Sequence, residues 1–198
     1  MELETGIKGL VLAAVEVELA GLGSMPLPGW GVALVGIGGL IAAASMARLI
    51  ADVRPPKVLF VGTCGAYGQS LKIGDCIAVS EAVAISIPEI QHKAYRPKNE
   101  IAKWPSTWVL PLPEAVVAAT PAITMDLDDA ILLAKAASAE NLELAGIFAA
   151  CYQAGVPVAA ALAVSNRVGP ASHVEWRANH QEVCKALVEM LERLGVFD

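Results

Sequence analysis

Between Glu18 and Arg48 the chain carries no charged residue. A stretch that long either lies buried inside a fold or crosses a bilayer, since it exceeds the ~20 apolar residues that a spanning helix needs. Its punctuation decides between the two. Pro26 and Pro28 break it, Ser24 is polar, and Gly36, Gly38 and Gly39 interrupt its second half. That pattern is expected to hold strand, turn, strand, turn and the start of a helix rather than one span. The opening Met1-Glu2-Leu3-Glu4 has no basic region ahead of an apolar run, so a secretory signal is not expected either. The expectation is a cytoplasmic protein with no membrane partner.

The 198 residues suit a single domain over 1–198. With 56% hydrophobic and 17% charged residues, folding should bury roughly 70% of the unfolded chain's surface. The apolar surplus is best placed in a subunit interface, so a homo-oligomer is expected. Only 5% of residues are aromatic. Ala, Val, Leu, Ile and Gly dominate, the palette of buried parallel strands with helices packed over them. A net charge of −6 without clustered Lys and Arg argues against a nucleic-acid partner. Cys64, Cys76, Cys151 and Cys184 are widely spaced beside apolar neighbours and are expected to be reduced core thiols. His92, His173 and His180 are equally scattered, so no metal site is expected.

Along the chain, the apolar run Gly9–Val15 suits a central strand ending at Glu16-Val17-Glu18, and 31–37 suits a second strand. Residues 40–52 form a helical stripe stopped by Pro55-Pro56. Strands are expected at 57–61 and 76–85, separated by a turn at Gly62-Thr63-Cys64-Gly65-Ala66. Residues 86–113, with five prolines, Trp104 and Trp108, are expected to be irregular, and such segments commonly line sites or mediate contacts. A strand at 115–124, helices at 127–137 and 142–154, a strand at 156–164 and a long amphipathic helix at 173–194 complete an α/β pattern. The fold expected is one mixed central sheet flanked by helices, with polar residues gathered at strand ends.

Three polar outcrops interrupt this apolar background: Glu16/Glu18, Glu140/Glu143 and Asn166. Each has an ordinary explanation. The first pair could be solvated loop charges, and Asn166 a turn residue. Glu143 falls in a first helical turn, where the dipole favours a carboxylate by about 0.3–1 kcal/mol.

Taken in order, the outcrops and the glycine turns resemble the nucleoside phosphorylase and nucleosidase superfamily along nearly the whole chain. Val35-Gly36-Ile37-Gly38 with Ala42-Ala43 is similar to the family's first glycine turn. Gly62-Thr63-Cys64-Gly65-Ala66, followed by Leu71-Lys72-Ile73-Gly74-Asp75, is similar to its second glycine turn and the strand that follows. Glu140-Asn141-Leu142-Glu143-Leu144-Ala145 resembles the helix segment that usually carries Met-Glu, and Val164-Ser165-Asn166-Arg167-Val168-Gly169 resembles the strand end that holds the purine.

That resemblance implies an N-glycosyl hydrolase acting on a small-molecule nucleoside without a cofactor. It gives Glu143 the ribose 2′- and 3′-hydroxyls, since a carboxylate can accept two hydrogen bonds from a vicinal diol. Leu142 stands for the family's methionine beneath the sugar. Glu18 becomes the carboxylate that deprotonates water, with Glu16 a weaker candidate. Thr63, with Cys64 and Gly65, would hold the water or the sugar, and Asn166 would bind the base.

Phosphorolytic members place an arginine where Phe60 stands and basic residues where Ala14-Val15-Glu16-Val17-Glu18 stands. The resemblance therefore favours hydrolysis. An asparagine in place of the aspartate of adenosine-cleaving relatives can donate to N7 and to the O6 of a 6-oxopurine but cannot deliver a proton. The Ser165–Gly169 motif followed by Trp176 is most like that of the futalosine hydrolases, which release hypoxanthine from futalosine in menaquinone biosynthesis. Leu142, Leu144 and a compressed segment 125–139 depart from that pattern. A 5′-methylthioadenosine/S-adenosylhomocysteine nucleosidase and a non-catalytic nucleoside-binding relative remain as alternatives.

Overall fold

A computed structural model describes residues 7–20, 22 and 27–198. The readings made on Met1–Glu4 and on the turn at Ser24 and Pro26 lie outside the described residues. Among the described residues no helix is long and apolar enough to cross a membrane.

Strand β1 (Gly9–Ala13) is buried along its whole length, between parallel neighbours β2 (Trp30–Leu34) and β3 (Val58–Ala66). A strand covered on both faces needs no alternation, which is why Leu10-Val11-Leu12 is continuously apolar. Helix α1 (Gly39–Val53) then follows, ending at Arg54 in a left-handed conformation with φ 51°. The uncharged stretch thus resolves into strand and helix as its glycines imply.

β4 (Cys76–Ala84) leads to a short helix, α2 (Ile87–Ile90), and to the edge strand β5 (Lys103–Pro105). β6 (Glu114–Ala119), α3 (Leu127–Leu133), β7 (Ala139–Asn141), α4 (Leu144–Ala154), β8 (Val158–Arg167) and α5 (Ser172–Arg193) complete the order. The sheet is mixed. β8 runs parallel to β3 and antiparallel to β4, β4 and β6 are parallel, and so are β6 and β7. β7 then returns antiparallel to the C-terminal end of β3, so β3, β8, β4, β6 and β7 close a ring. Helices α1 and α4 pack against each other at the distance glycine permits: a Cβ on Gly146 would fall 2.0 Å from the Gly39 carbonyl oxygen.

Three expectations are corrected. Residues 62–66 form no turn but the last five of the nine residues of β3, because β8 and β7 pair with them. Ala139-Glu140-Asn141 is a strand, so the helix that follows starts at Leu144 rather than at residue 142. Ser165, Asn166 and, at its end, Arg167 remain within β8 rather than turning after residue 164. In each case pairing across the ring extends strand structure into residues whose local chemistry favours turns. All four cysteines are free and buried, and burial pushes the thiols of Cys151 and Cys184 up to about 12.

Candidate active site

A cavity of about 270 Å³ opens where β1, β3, β7 and β8 end. Thr63, Cys64 and Gly65 of β3 form one wall, Glu140 to Glu143 a second, and Ser165 with Asn166 a third. Glu18 enters from the turn after β1, and Trp176 from α5.

After Ala13 the chain makes a single 3₁₀ turn, Glu16–Leu19, closed by Ala20 at φ 45°. The turn divides its two acids. Glu16 faces solvent and lies outside the cavity wall, whereas Glu18 is buried. Glu18 Oε1 accepts the Thr63 backbone N–H at 2.9 Å and the Thr63 hydroxyl at 2.8 Å, and its Oε2 accepts the Ala14 N–H at 3.2 Å. The Thr63 hydroxyl in turn accepts the Trp176 indole N–H at 3.2 Å. Burial raises the Glu18 pKa, the bonds from Thr63 oppose that rise, and the charge of Glu143 adds to it. A carboxylate held this way is a better proton acceptor than one in water.

Glu143 occupies the N-cap of α4, yet its side chain does not cap its own helix. Asn141 does so instead: its Oδ1 accepts the N–H groups of Glu143 at 2.9 Å and Leu144 at 3.0 Å. The Glu143 carboxylate is thereby free to point across to the α1 side, where its Oε1 accepts the Gly38 N–H at 2.8 Å. Gly38 sits at φ 87°, a conformation that strains any residue with a side chain. Oε2 has no protein partner among the described residues and stays open to a ligand. Burial raises the pKa of Glu143, against the lowering effects of the Gly38 N–H and Asn141.

Asn166 owes its aim to an irregularity in the sheet. β3 and β8 slip register between Cys64 and Gly65, making Ser165 an extra residue opposite the slip. Helix α5 satisfies the backbone groups that the slip frees: Glu175 accepts the Arg167 N–H at 2.7 Å, and Asn179 donates to the Ser165 carbonyl at 3.1 Å. The Asn166 Oδ1 accepts the Ser165 hydroxyl at 2.8 Å, and its Nδ2 donates to the Arg167 carbonyl at 3.1 Å. Because a carbonyl can only accept, this last bond fixes which way the amide faces. One amide hydrogen is therefore committed, and one remains for a ligand, rather than the two that could serve N7 and O6 together. Gly65 makes room for it, since a Cβ there would lie 2.9 Å from Nδ2.

Glu18, Thr63, Cys64, Gly65, Leu142, Glu143 and Asn166, all singled out in the sequence, line this one cavity. Phe60 is buried in the core instead. Trp104 is core as well, and Trp108 donates to the Val58 carbonyl at 3.3 Å with Lys57 above its ring, so neither tryptophan reaches the cavity. Reasoning from sequence gave Glu140, Ser165 and Trp176 no site role, although all three line it. For Trp176 a signal existed: His173 and His180 stand at i−3 and i+4 on the helix and stack on the indole, at 6.0 and 4.2 Å between ring centroids.

A family model described as the phosphorylase superfamily matches residues 28–195. The chain belongs to the phosphorylase superfamily. Its fold is that of solved superfamily structures. The 5′-methylthioadenosine/S-adenosylhomocysteine nucleosidase of Helicobacter pylori is 17% identical with a TM-score of 0.83, the match covering 98% of this chain and 99% of that one. The futalosine hydrolase of Helicobacter pylori is 18% identical with a TM-score of 0.82, covering 96% of this chain and 98% of that one. The S-adenosylhomocysteine nucleosidase of Streptococcus pyogenes is 17% identical with a TM-score of 0.80, covering 96% and 97%. A comparison with curated proteins finds no match. Within this superfamily fold, the chain presents three buried carboxylates, Glu18, Glu140 and Glu143, and a fixed amide to one cavity, with no Lys or Arg among the described residues that line it.

Proposed function

We propose that the protein is a purine nucleosidase that hydrolyses the N-ribosidic bond of a 5′-modified nucleoside, foremost futalosine, to hypoxanthine and dehypoxanthine futalosine in menaquinone biosynthesis. The observation that carries this reading is the convergence of Glu18, Glu143 and Asn166 on one cavity with no Lys or Arg among the described residues that line it. In this reading the open Oε2 of Glu143 takes the ribose hydroxyls. The free Asn166 N–H bonds the base at N7 or O6 as the C1′–N9 bond breaks and its electron pair moves onto the purine. A donor so placed is worth about 2.7–4 kcal/mol in other enzymes. Water adds to C1′ and gives its proton to Glu18, and the departing purine anion takes up a proton from solvent to leave as hypoxanthine, while Glu18 returns its own to solvent.

Two facing carboxylates also bear on the choice of nucleophile. Each would repel a phosphate dianion by on the order of 1 kcal/mol or more, even when partly screened. Water, being neutral, meets no such barrier. An adenine-releasing nucleosidase is the second reading, because solved structures of both substrate types share this fold at similar TM-scores. Asn166 separates the two: Asn166→Asp should improve adenine nucleosides if the first reading holds.

The protein is further proposed to act as a homo-oligomer. Ile37 and Ile123 both line the cavity while 63% and 52% exposed, and Leu40, close after Ile37 in the first turn of α1, is 89% exposed. An apolar rim of this kind at the mouth of a site is what a second copy would cover.

The test is incubation of the protein with futalosine, methylthioadenosine and inosine, with and without phosphate, followed by chromatography. Free hypoxanthine without phosphate is expected. Base released only when phosphate is present would overturn the hydrolase reading.

A further inference from the structure

Trp176 lines the cavity and takes no part in the steps above. Its position is built by the pattern of α5. Trp176, His180, Val183, Leu187 and Leu191 recur every three or four places and so share one face of the helix, and the last three are buried among residues of β1, β3 and β8. Asn179 ties the same stretch of helix to β8, donating to the Glu175 carbonyl at 2.9 Å and to the Ser165 carbonyl at 3.1 Å. The indole itself is clamped. His180 donates from Nδ1 to the Trp176 carbonyl at 2.9 Å, and its ring lies 4.2 Å from the indole with 14° between the planes. His173, one turn earlier, stacks at 6.0 Å.

The indole N–H reaches the Thr63 hydroxyl at 3.2 Å, and that bond has a direction. An indole N–H only donates and an ionised carboxylate only accepts. The Thr63 hydroxyl stands between the two, so its oxygen takes the indole hydrogen and its own hydrogen goes to Glu18 Oε1 at 2.8 Å. With the Thr63 backbone N–H at 2.9 Å, both acceptor positions of Oε1 are filled. Among the described residues Oε2 accepts one bond, from the Ala14 N–H at 3.2 Å, and keeps a position open. A proton placed on Oε1 would force the Thr63 hydroxyl to turn away, against an indole hydrogen that already holds its oxygen.

We propose that Trp176 is a positioning residue acting through Thr63: its N–H sets the direction of the Thr63 hydroxyl, keeps Glu18 Oε1 occupied, and leaves Oε2 as the oxygen that receives the proton of water. This rests on the nucleosidase reading. The step balances as before: the water oxygen bonds to C1′, one of its hydrogens passes to Oε2, and the electron pair of the broken C1′–N9 bond leaves on the purine. The titratable groups facing this chain of bonds are Glu18 itself, Glu143, Cys184 of α5 beside Glu18, and the flanking His173 and His180.

The test is a double-mutant cycle of Trp176→Phe and Thr63→Val, read by pH–rate profiles for futalosine and inosine, with the indole N–H signals followed by NMR over the same pH range. Trp176→Phe keeps a ring between the histidines and removes the donor. Its kcat should fall by about 2–10-fold, the range of one neutral hydrogen bond, with KM changed far less and the acidic limb moved upward. Added to Thr63→Val, the same substitution should change neither further, because the hydroxyl through which it acts is gone. One indole signal of the unaltered protein should shift with the midpoint of the acidic limb, and that step should be absent from Glu18→Gln while a step owed to the histidines persists. An acidic limb that stays put in Trp176→Phe, or an equal fall in kcat with and without the Thr63 hydroxyl, overturns the assignment, since packing alone would give either. If no indole signal of the unaltered protein moves with the acidic limb, the assignment fails whether or not the variants fold. Any of these results with hydrolysis intact leaves the nucleosidase reading standing. No hydrolysis of either nucleoside by the unaltered protein removes that reading and the role of Trp176 within it.

Discussion

Thr63 gives Glu18 two hydrogen bonds on one oxygen: its backbone N–H and its hydroxyl both reach Oε1, at 2.9 and 2.8 Å. The same hydroxyl accepts the Trp176 indole N–H, so helix α5, strand β3 and the turn after β1 meet at one side chain. Both bonds to Thr63 favour the ionised carboxylate against the burial that disfavours it.

Thr63→Val should therefore lower kcat by about 10–100-fold, the span corresponding to a bond of ~1.5–3 kcal/mol to a charged group. Loss of a bond that lowers the Glu18 pKa should also move the acidic limb of the pH–rate profile upward. Thr63→Ser should restore most of both. A pH–rate profile unchanged in Thr63→Val would dissociate this hydroxyl from Glu18.

Glu18→Gln removes the proton acceptor while nearly conserving shape. Hydrolysis should fall by about 10²–10⁴-fold, with nucleoside affinity changed far less. In the unaltered enzyme, activity should be lost as pH falls through the raised Glu18 pKa, above the ordinary carboxylate range of about 4.3. Single-turnover kinetics across pH 4–8 measure both effects.

Burial raises the Glu143 pKa as well, and the sign of its effect on stability follows. Between the unfolded value and the raised folded value, the folded state binds more protons than the unfolded one, so stability declines as pH rises through that window. Glu143→Gln has no charge to bury. It should melt at a higher temperature than the unaltered protein near neutral pH, with the gain shrinking toward pH 4, while the affinity for ribosides drops. A difference in Tm that is constant with pH would refute the burial argument.

Gly146→Ala would place a methyl group 2.0 Å from the Gly39 carbonyl oxygen. Helices α1 and α4 must separate to admit it, at a cost of about 1–3 kcal/mol in unfolding free energy. Because Gly38 and Glu143 bond across the same contact, KM for the riboside should rise too. Denaturant titration and steady-state kinetics report the two effects separately.

Leu40→Asp combined with Ile41→Asp puts charge on side chains 89% and 58% exposed in the isolated chain. If a second copy covers this rim, light scattering should show a fall in mass to that of one chain. An isolated chain before and after substitution would argue that the rim stays open.

Local pattern by itself determined the element types along most of the chain, including the strand and helix within the uncharged stretch, because burial on two faces leaves a record in composition. It also marked Glu18, Glu143 and Asn166, since polar residues interrupting apolar runs stand out without any coordinates. The tertiary structure alone decided what those residues do there. Whether Glu143 caps its helix or faces the cavity depends on Asn141 filling the helix terminus. How many donors Asn166 keeps depends on the Arg167 carbonyl at a slip in register. Glu140 became part of the site only through the pairing of β7 with β3, two strands distant in sequence and adjacent in space. Pairing across the ring joins segments through backbone hydrogen bonds, which every residue carries alike, so no local pattern records which partner a strand will find.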